Sequence, residues 1–197
     1  MKRHYTLLLL FVGLVSLTTA QNQKITLEEI WGGAFRTEGM DVLHSMKNGT
    51  QYTVLNFDRS SKSAAIDKYN YKTLEKVETI VTSSDLPNIN YFSSYTFSKD
   101  ESKLILATDV ESVFRRSKLG KYYVYTIASK DLELISENKI QEPTFSPDGS
   151  KVAFVFENNI YIKDLEKGNT VQVTTDGKKN KIINGVTDWV YEEEFAF

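Results

Sequence analysis

Short runs of alternating apolar and polar residues follow one another along most of this chain. The alternation is clear in Lys121-Tyr-Tyr-Val-Tyr-Thr-Ile and in Asn159-Ile-Tyr-Ile-Lys, and it is typical of half-buried antiparallel strands. We predict strands at residues 42–46, 51–57, 64–71, 77–81, 95–97, 103–108, 121–127, 132–135, 143–145, 151–156, 159–162 and 170–174. No helix longer than about two turns is indicated, so the sequence predicts an all-β fold.

Two local signals lie near the start of this pattern. Thr26 and Glu29 have capping-box spacing, which predicts a single helical turn that ends before Gly32. Asn48 and Gly49 then separate the first two strands. We expect a hairpin there, because both residue types tolerate a positive φ.

The sequence also contains an internal repeat. Tyr95-Thr-Phe-Ser-Lys-Asp-Glu-Ser-Lys recurs 48 residues later as Pro143-Thr-Phe-Ser-Pro-Asp-Gly-Ser-Lys. Four strands per unit at this period are typical of β-propeller blades. We expect Phe145 to pack between neighbouring blades and Pro147-Asp148-Gly149 to form a tight turn. The first copy has Lys99-Asp100-Glu101 in that turn and is a degenerate repeat.

The repeat sets an expectation for the number of blades. Residues 42–82 resemble an earlier blade with its own hairpin, so the chain supplies about three to four blades, whereas a closed propeller needs at least four. An open arc would expose sheet edges. We therefore expect residues 21–197 to be the N-terminal part of a longer propeller.

The N-terminus has the pattern of an export signal. Lys2 and Arg3 precede an apolar run at residues 7–17, and small residues lead to a cleavage position after Ala20. We predict a cleaved signal peptide at residues 1–20; an uncleaved anchor is the alternative. Export without any cysteine favours a bacterial periplasmic or secreted protein.

Composition excludes several kinds of chemistry. Without cysteine there is neither a thiolate metal site nor a cysteine nucleophile. The only histidines are His4, in the leader, and His44, which we interpret as an ordinary strand or surface residue. We predict no metal site and no cofactor. The net charge is −2 and there is no basic tract, so nucleic acid is not an expected partner.

An acidic stretch, Asp188-Trp-Val-Tyr-Glu-Glu-Glu, lies near the C-terminal end. On the residues alone, a solvated acidic turn is the simpler interpretation. The alternative is a receptor for an ammonium group, because three adjacent carboxylates repel one another and a cation relieves that repulsion.

Two segments resemble a known family. Thr26-Leu-Glu-Glu-Ile-Trp-Gly-Gly-Ala-Phe-Arg and Asp188-Trp-Val-Tyr-Glu-Glu-Glu-Phe are similar to bacterial relatives of dipeptidyl peptidase IV, which are prolyl oligopeptidase-type serine peptidases. The resemblance covers nearly all of residues 24–197. It implies an eight-bladed propeller followed by an α/β-hydrolase domain, and release of dipeptides from peptides with a free N-terminus and Pro or Ala second.

The same resemblance assigns a substrate-binding site. It implies that Glu193 and Glu194 bind the α-ammonium of the substrate and that Arg115, in Phe114-Arg115-Arg116-Ser117, contacts a substrate carbonyl. Without the resemblance, a solvated turn residue is an equally good interpretation of Arg115. Adjacent helical residues point about 100° apart, so the two glutamates would have to converge from a helix end.

Four neighbours receive other roles. Glu192 is interpreted as a structural or solvent-facing residue, and Arg116 as a solvated turn residue. Trp189 and Tyr191 are expected to pack against the glutamate turn and orient it.

The sequence departs from the family in one respect. It has no Gly-x-Ser-x-Gly nucleophile elbow, so we expect no catalytic residue here and no hydrolysis by these residues alone. The expected partners are peptide substrates, a C-terminal hydrolase domain of the parent chain and, from the family, a second copy in a homodimer. The alternatives are a non-catalytic periplasmic propeller that binds peptides or proteins, and part of a prolyl tripeptidyl peptidase.

Overall fold

The computed structural model describes residues 24–37 and 39–195. The predicted signal peptide, residues 1–20, lies outside them. The described chain divides into two compact units, one that ends at Met40 and one that begins at Asp41, and each is described by itself.

The first unit contains helix α1 (Leu27–Trp31). The predicted capping box is confirmed: the Glu29 backbone N–H donates to Thr26 Oγ1 at 3.1 Å, and the Thr26 N–H donates to Glu29 Oε2 at 2.9 Å. The helix ends at its C-cap, Gly32. Neither this helix nor any other in the described residues is both long and apolar enough to cross a membrane.

The second unit begins with a four-stranded antiparallel sheet, blade 1. Its strands are β1 (Leu43–Ser45), β2 (Gln51–Asp58), β3 (Ser63–Asn70) and β4 (Lys76–Thr82), paired in chain order. His44 lies in β1 and is exposed, as predicted.

The predicted hairpin between β1 and β2 is confirmed, although its geometry differs from the expectation. Only Gly49 has a positive φ, +66°. Asn48 instead uses its side chain: Oδ1 accepts hydrogen bonds from the backbone N–H groups of Thr50 at 3.0 Å and Gln51 at 3.1 Å. Such an Asx turn fixes the loop without a left-handed backbone at Asn48.

Blade 2 is the next antiparallel sheet. It contains β5 (Ser94–Phe97), β6 (Lys103–Ser112), β7 (Lys118–Thr126) and β8 (Asp131–Leu134). The predicted last residue of β6, 108, and the predicted first residue of β7, 121, were wrong. Both strands continue past a register shift between Thr108 and Glu111, where a bulge interrupts the period-2 alternation that marks a strand in sequence.

Blade 3 completes the described sheets. It contains β9 (Gln141–Phe145), β10 (Lys151–Phe156), β11 (Asn159–Asp164) and β12 (Thr170–Gln172), again in chain order. Three four-stranded antiparallel blades confirm the predicted all-β, partial-propeller fold.

The two faces of blade 2 bury different cores. In β6, Leu104 and Leu106 face blade 1, while Ile105 and Ala107 face blade 3. This is the pleat of a strand buried on both sides. Phe145 packs at the boundary of blades 2 and 3, which confirms its predicted place between neighbouring blades.

The repeated box makes the same turn in both copies. Asp148 Oδ1 accepts hydrogen bonds from the Ser146 hydroxyl at 2.5 Å and from the Ser150 N–H at 3.0 Å, and Asp100 does the same for Ser98 and Ser102. The left-handed position is Gly149 in one copy, at φ +70°, and Glu101 in the other, at φ +62°. The degenerate copy has therefore kept the turn without its glycine.

Candidate functional site

The candidate site begins on the hairpin that joins β6 to β7. The last strand pair is Ser112 with Lys118, and residues 113–117 form a loop between them. The Val113 N–H donates to the Ser117 carbonyl at 2.9 Å, and Phe114 and Arg115 are exposed. The backbone N–H groups of residues 115–117 all donate to carboxylates that lie about 75 residues later in the chain.

Those carboxylates belong to a short helix, α2 (Trp189–Glu193). Asp188 is its N-cap, and its Oδ1 accepts a hydrogen bond from the Tyr191 N–H at 2.9 Å. Because consecutive helical residues point about 100° apart, the three glutamates of the acidic stretch have three different surroundings.

Glu192 points into the protein and is 4% exposed. Its Oε1 accepts hydrogen bonds from the Arg116 N–H at 2.5 Å and the Ser117 N–H at 2.8 Å, and its Oε2 is bonded to the Ser117 hydroxyl. Burial of the carboxyl acts to raise the pKa of Glu192, but the hydrogen bonds from Ser117 and Arg116 outweigh it and hold the pKa below its usual value. Of the two roles expected for Glu192, the structural one is correct and the solvent-facing one is wrong.

Glu193 lies against Arg115. Its Oε1 accepts a hydrogen bond from the Arg115 backbone N–H at 2.7 Å, and its Oε2 lies 2.9 Å from Arg115 Nε. The Glu193 side chain is 16% exposed and that of Arg115 is 62% exposed. The structure thus brings together two of the three predicted site residues. The terminal amino groups of Arg115 make no hydrogen bond within the described ranges, so they can donate to a ligand.

Glu194 is the third predicted site residue and has different surroundings. It is exposed, it is the C-cap of α2, and its backbone N–H donates to the Val190 carbonyl at 3.0 Å. Its carboxylate has no hydrogen-bond or ion-pair partner among the described residues. The site therefore contains one carboxylate paired with an arginine, Glu193, and one without a partner among the described residues, Glu194.

The predicted role of the two aromatic residues, to pack against the glutamate turn and orient it, stays a prediction. Trp189 is 52% exposed and Tyr191 is 64% exposed, so both side chains are partly covered. The Tyr191 ring contacts Phe195, with centroids 5.7 Å apart. The Asp188 cap and the amides of residues 115–117 make the hydrogen bonds that hold this turn. Arg116 has an exposed side chain, as predicted.

A cavity of about 460 Å³ lies between the 113–117 loop and the segment that leads into α2. Phe114, Ser117, Asp188, Trp189 and Val190 are among the residues that line it. Arg115, Glu193 and Glu194 are not part of its wall. The predicted site residues thus lie beside this cavity, on an open surface of the described unit.

Comparison with protein families supports the resemblance. A family model described as the dipeptidyl peptidase IV (DPP IV) N-terminal region matches residues 98–197, about half of the chain. The matched part contains blade 3, most of blade 2 and the whole candidate site.

Curated proteins and solved structures give the same result. Human prolyl endopeptidase FAP is 32% identical over 174 residues, which cover 86% of this chain and 21% of that protein. A probable dipeptidyl-aminopeptidase B of Neurospora crassa is 27% identical over 197 residues, covering 91% of this chain and 21% of that protein. This chain thus spans about a fifth of the length of these relatives.

The crystal structure of Porphyromonas gingivalis dipeptidyl peptidase 4 superposes with a TM-score of 0.78 at 38% sequence identity. The match covers 88% of this chain and 25% of that one.

Proposed function

We propose that this chain recognises the free N-terminus of a peptide for a serine exopeptidase. The premise is its family: the chain belongs to the dipeptidyl peptidase IV family, whose N-terminal region it matches. In this proposal Glu193 and Glu194 bind the α-ammonium group, and Arg115 donates to a carbonyl of the same substrate. These residues bind and orient the substrate and control access to the active site; the bond-breaking groups belong to a hydrolase domain in further sequence of the parent protein.

The pairing of Arg115 with Glu193 is the observation that carries the proposal. Arg115 neutralises one carboxylate and holds it in place, while Glu194 remains charged beside it. The site therefore has a net charge of about −1 for a ligand group of +1. A charge-assisted hydrogen bond to each glutamate would distinguish a free ammonium from an acylated N-terminus.

The names of the relatives indicate the substrate class. A dipeptidyl-aminopeptidase and a prolyl endopeptidase suggest a parent enzyme that releases N-terminal dipeptides and prefers proline, and the resemblance described above adds Ala as the other residue accepted second. Residues 1–20 would direct it to the periplasm or the exterior. As in the sequence-based expectation, a homodimer is the proposed assembly.

The test uses the complete protein encoded by the gene that contains these residues. We expect it to release the chromogen from an Ala-Pro chromogenic substrate and to leave the N-acetylated form uncut. Replacing Glu193→Ala together with Glu194→Ala should lower kcat/KM by roughly 100-fold or more, because the ammonium group of the substrate loses both of its counter-charges. The control is Glu166→Ala, which removes an exposed glutamate of blade 3 and should leave kcat/KM unchanged.

Two outcomes would contradict the proposal. Near-normal cleavage by the double variant would show that the glutamates do not bind the ammonium group. Cleavage of the acetylated substrate at the same rate would show that the enzyme does not read the N-terminus. Mass spectrometry of the products separates dipeptide release from tripeptide release, and binding without cleavage would identify a non-catalytic propeller.

A further inference from the structure

The contact between the 113–117 loop and α2 consists of an unbroken series of hydrogen bonds. Three consecutive backbone N–H groups donate to two consecutive carboxylates: Arg115 to Glu193, and Arg116 and Ser117 to Glu192. The Ser117 hydroxyl adds a fourth bond to Glu192. Ser117 and Glu192 are the buried part of this contact, and Arg115 and Glu193 are its more exposed part.

The loop has little else to hold it. Within the described part of the chain, its only internal backbone bond joins Val113 to Ser117. Arg115 extends into solvent, and Phe114 is 37% exposed at the edge of the cavity. If Glu192 were absent, the buried Ser117 amide and hydroxyl would lose their acceptor, which a protein interior tolerates poorly. The backbone on which Arg115 stands would then be free to move.

We propose that Glu192 is a positioning residue whose bonds to Arg116 and Ser117 fix the loop so that the Arg115–Glu193 pair is preformed before substrate binds. This inference rests on the proposed function of that pair, which it extends to a third glutamate. Glu192 is 4% exposed and its accepting atoms are occupied by the loop, so it does not touch the substrate. Its effect is transmitted through the backbone of residues 115–117.

The structural readout does not depend on activity. Amide hydrogen exchange of the complete protein, measured by NMR or mass spectrometry without substrate, reports the order of residues 115–117. We expect roughly tenfold faster exchange in this loop for Glu192→Ala and a smaller increase for Glu192→Gln, which keeps one acceptor. Ser117→Ala should also speed exchange. The control Glu166→Ala should leave the loop unchanged.

The kinetic readout separates positioning from simple loss of fold. A loosened loop lowers the fraction of molecules ready to bind, so KM for a free-amine Ala-Pro substrate should rise about fivefold to tenfold in Glu192→Gln while kcat stays within about twofold. If Glu192→Ala fails to fold, Glu192→Gln and Ser117→Ala provide the same comparison.

The outcomes are distinguishable from failure of the proposed function. Unchanged loop exchange in both Glu192→Gln and Ser117→Ala would overturn the inference whatever the enzyme cleaves. Faster exchange with unchanged KM would also overturn it, because Glu192 would then stabilise the loop without affecting the site. If the wild-type protein cleaves nothing, the proposed function fails, and an Arg115 Nε–H NMR signal that is unaltered in Glu192→Gln would overturn the positioning role as well.

Discussion

Neighbouring blades close the same connection in different ways. In blade 3, β10 and β11 are joined by Glu157 and Asn158, both with positive φ, +47° and +63°, which is the backbone of a two-residue hairpin turn. In blade 2, β6 and β7 are joined by residues 113–117, and the amides of residues 115–117 are bonded to carboxylates of α2. The blade 3 hairpin takes its conformation from its own backbone and receives one backbone bond from Asn184, whereas the amides of the blade 2 hairpin are bonded to side chains from a distant part of the chain.

The corresponding hairpin of blade 1, between β2 and β3, is held in a third way. Asp58 accepts hydrogen bonds from the Ser60 N–H at 2.8 Å and from the hydroxyls of Ser60 and Ser61. A carboxylate organises this loop too, but it comes from the loop itself. The blades thus supply a common frame, and the hairpin bound by remote side chains is the one to which we assign recognition in the proposed function.

Exchanging the two hairpin types should have the largest effect on activity. Replacing residues 113–117 by Asn-Gly should give blade 2 a tight hairpin like that of blade 3. We expect the complete protein to fold but to lose roughly 100-fold or more of its cleavage of free-amine substrates, since Arg115 is removed and Glu193 loses its partner.

The matched control for this exchange lies in blade 3. Glu157→Asn with Asn158→Gly keeps the turn type of that hairpin and should leave cleavage unchanged. Equal losses in the two variants would show that recognition depends on the blades as a whole, and would contradict a special role for the blade 2 hairpin.

The blades and the site differed in how far sequence could predict them. The repeat that contains Phe97 and Phe145 predicted the blades, because a residue packed between sheets leaves a periodic trace. The capping box at Thr26 is equally local. The inward direction of Glu192 could not be read from its neighbours, since its partners, Arg116 and Ser117, lie 76 and 75 residues away. The sequence showed a third glutamate in the acidic stretch and a serine after the two arginines, but nothing in it connected the two.

Two substitutions compare how much the blade core and the site hairpin contribute to the free energy of unfolding. Leu106 is fully buried between blades 1 and 2, and Leu106→Ala should lower the free energy of unfolding by about 2–5 kcal/mol because it leaves a cavity. Phe114→Ala, at 37% exposure on the site hairpin, should lower it by less than about 1 kcal/mol. Urea denaturation measures both. Similar losses would mean that the hairpin is part of the core.

The repeated turns give a smaller effect. Gly149→Ala should cost about 1 kcal/mol, because a residue with a side chain is strained at φ +70°. Space is not the obstacle, since the nearest atom to an added Cβ would be Ser98 Cβ at 3.7 Å. In the other copy Glu101 bears that strain and accepts a hydrogen bond from the Lys47 N–H of the preceding blade at 2.7 Å. Glu101→Gly should therefore change stability less than Gly149→Ala, and a larger loss would show that the Lys47 contact dominates.

Acid titration offers the finest distinction among the three hairpins. Hydrogen bonds from Ser60 and Ser61 lower the pKa of Asp58 to about 2, below the value of about 3.9 for an unfolded chain. A depressed folded-state pKa means that the stabilisation is present above pH about 4 and is lost as the pH falls toward 2.

NMR of the Asp58 carboxyl and amide exchange of residues 59–62 should follow that titration, and Asp58→Asn should abolish it. The turn at Glu157 and Asn158 is closed by backbone geometry, so its amide exchange should show no matching transition. If Asp58 titrates near pH 4, its side chain does not organise the β2–β3 loop. The three hairpins would then differ in a single respect: whether carboxylates from a distant part of the chain accept hydrogen bonds from their amides.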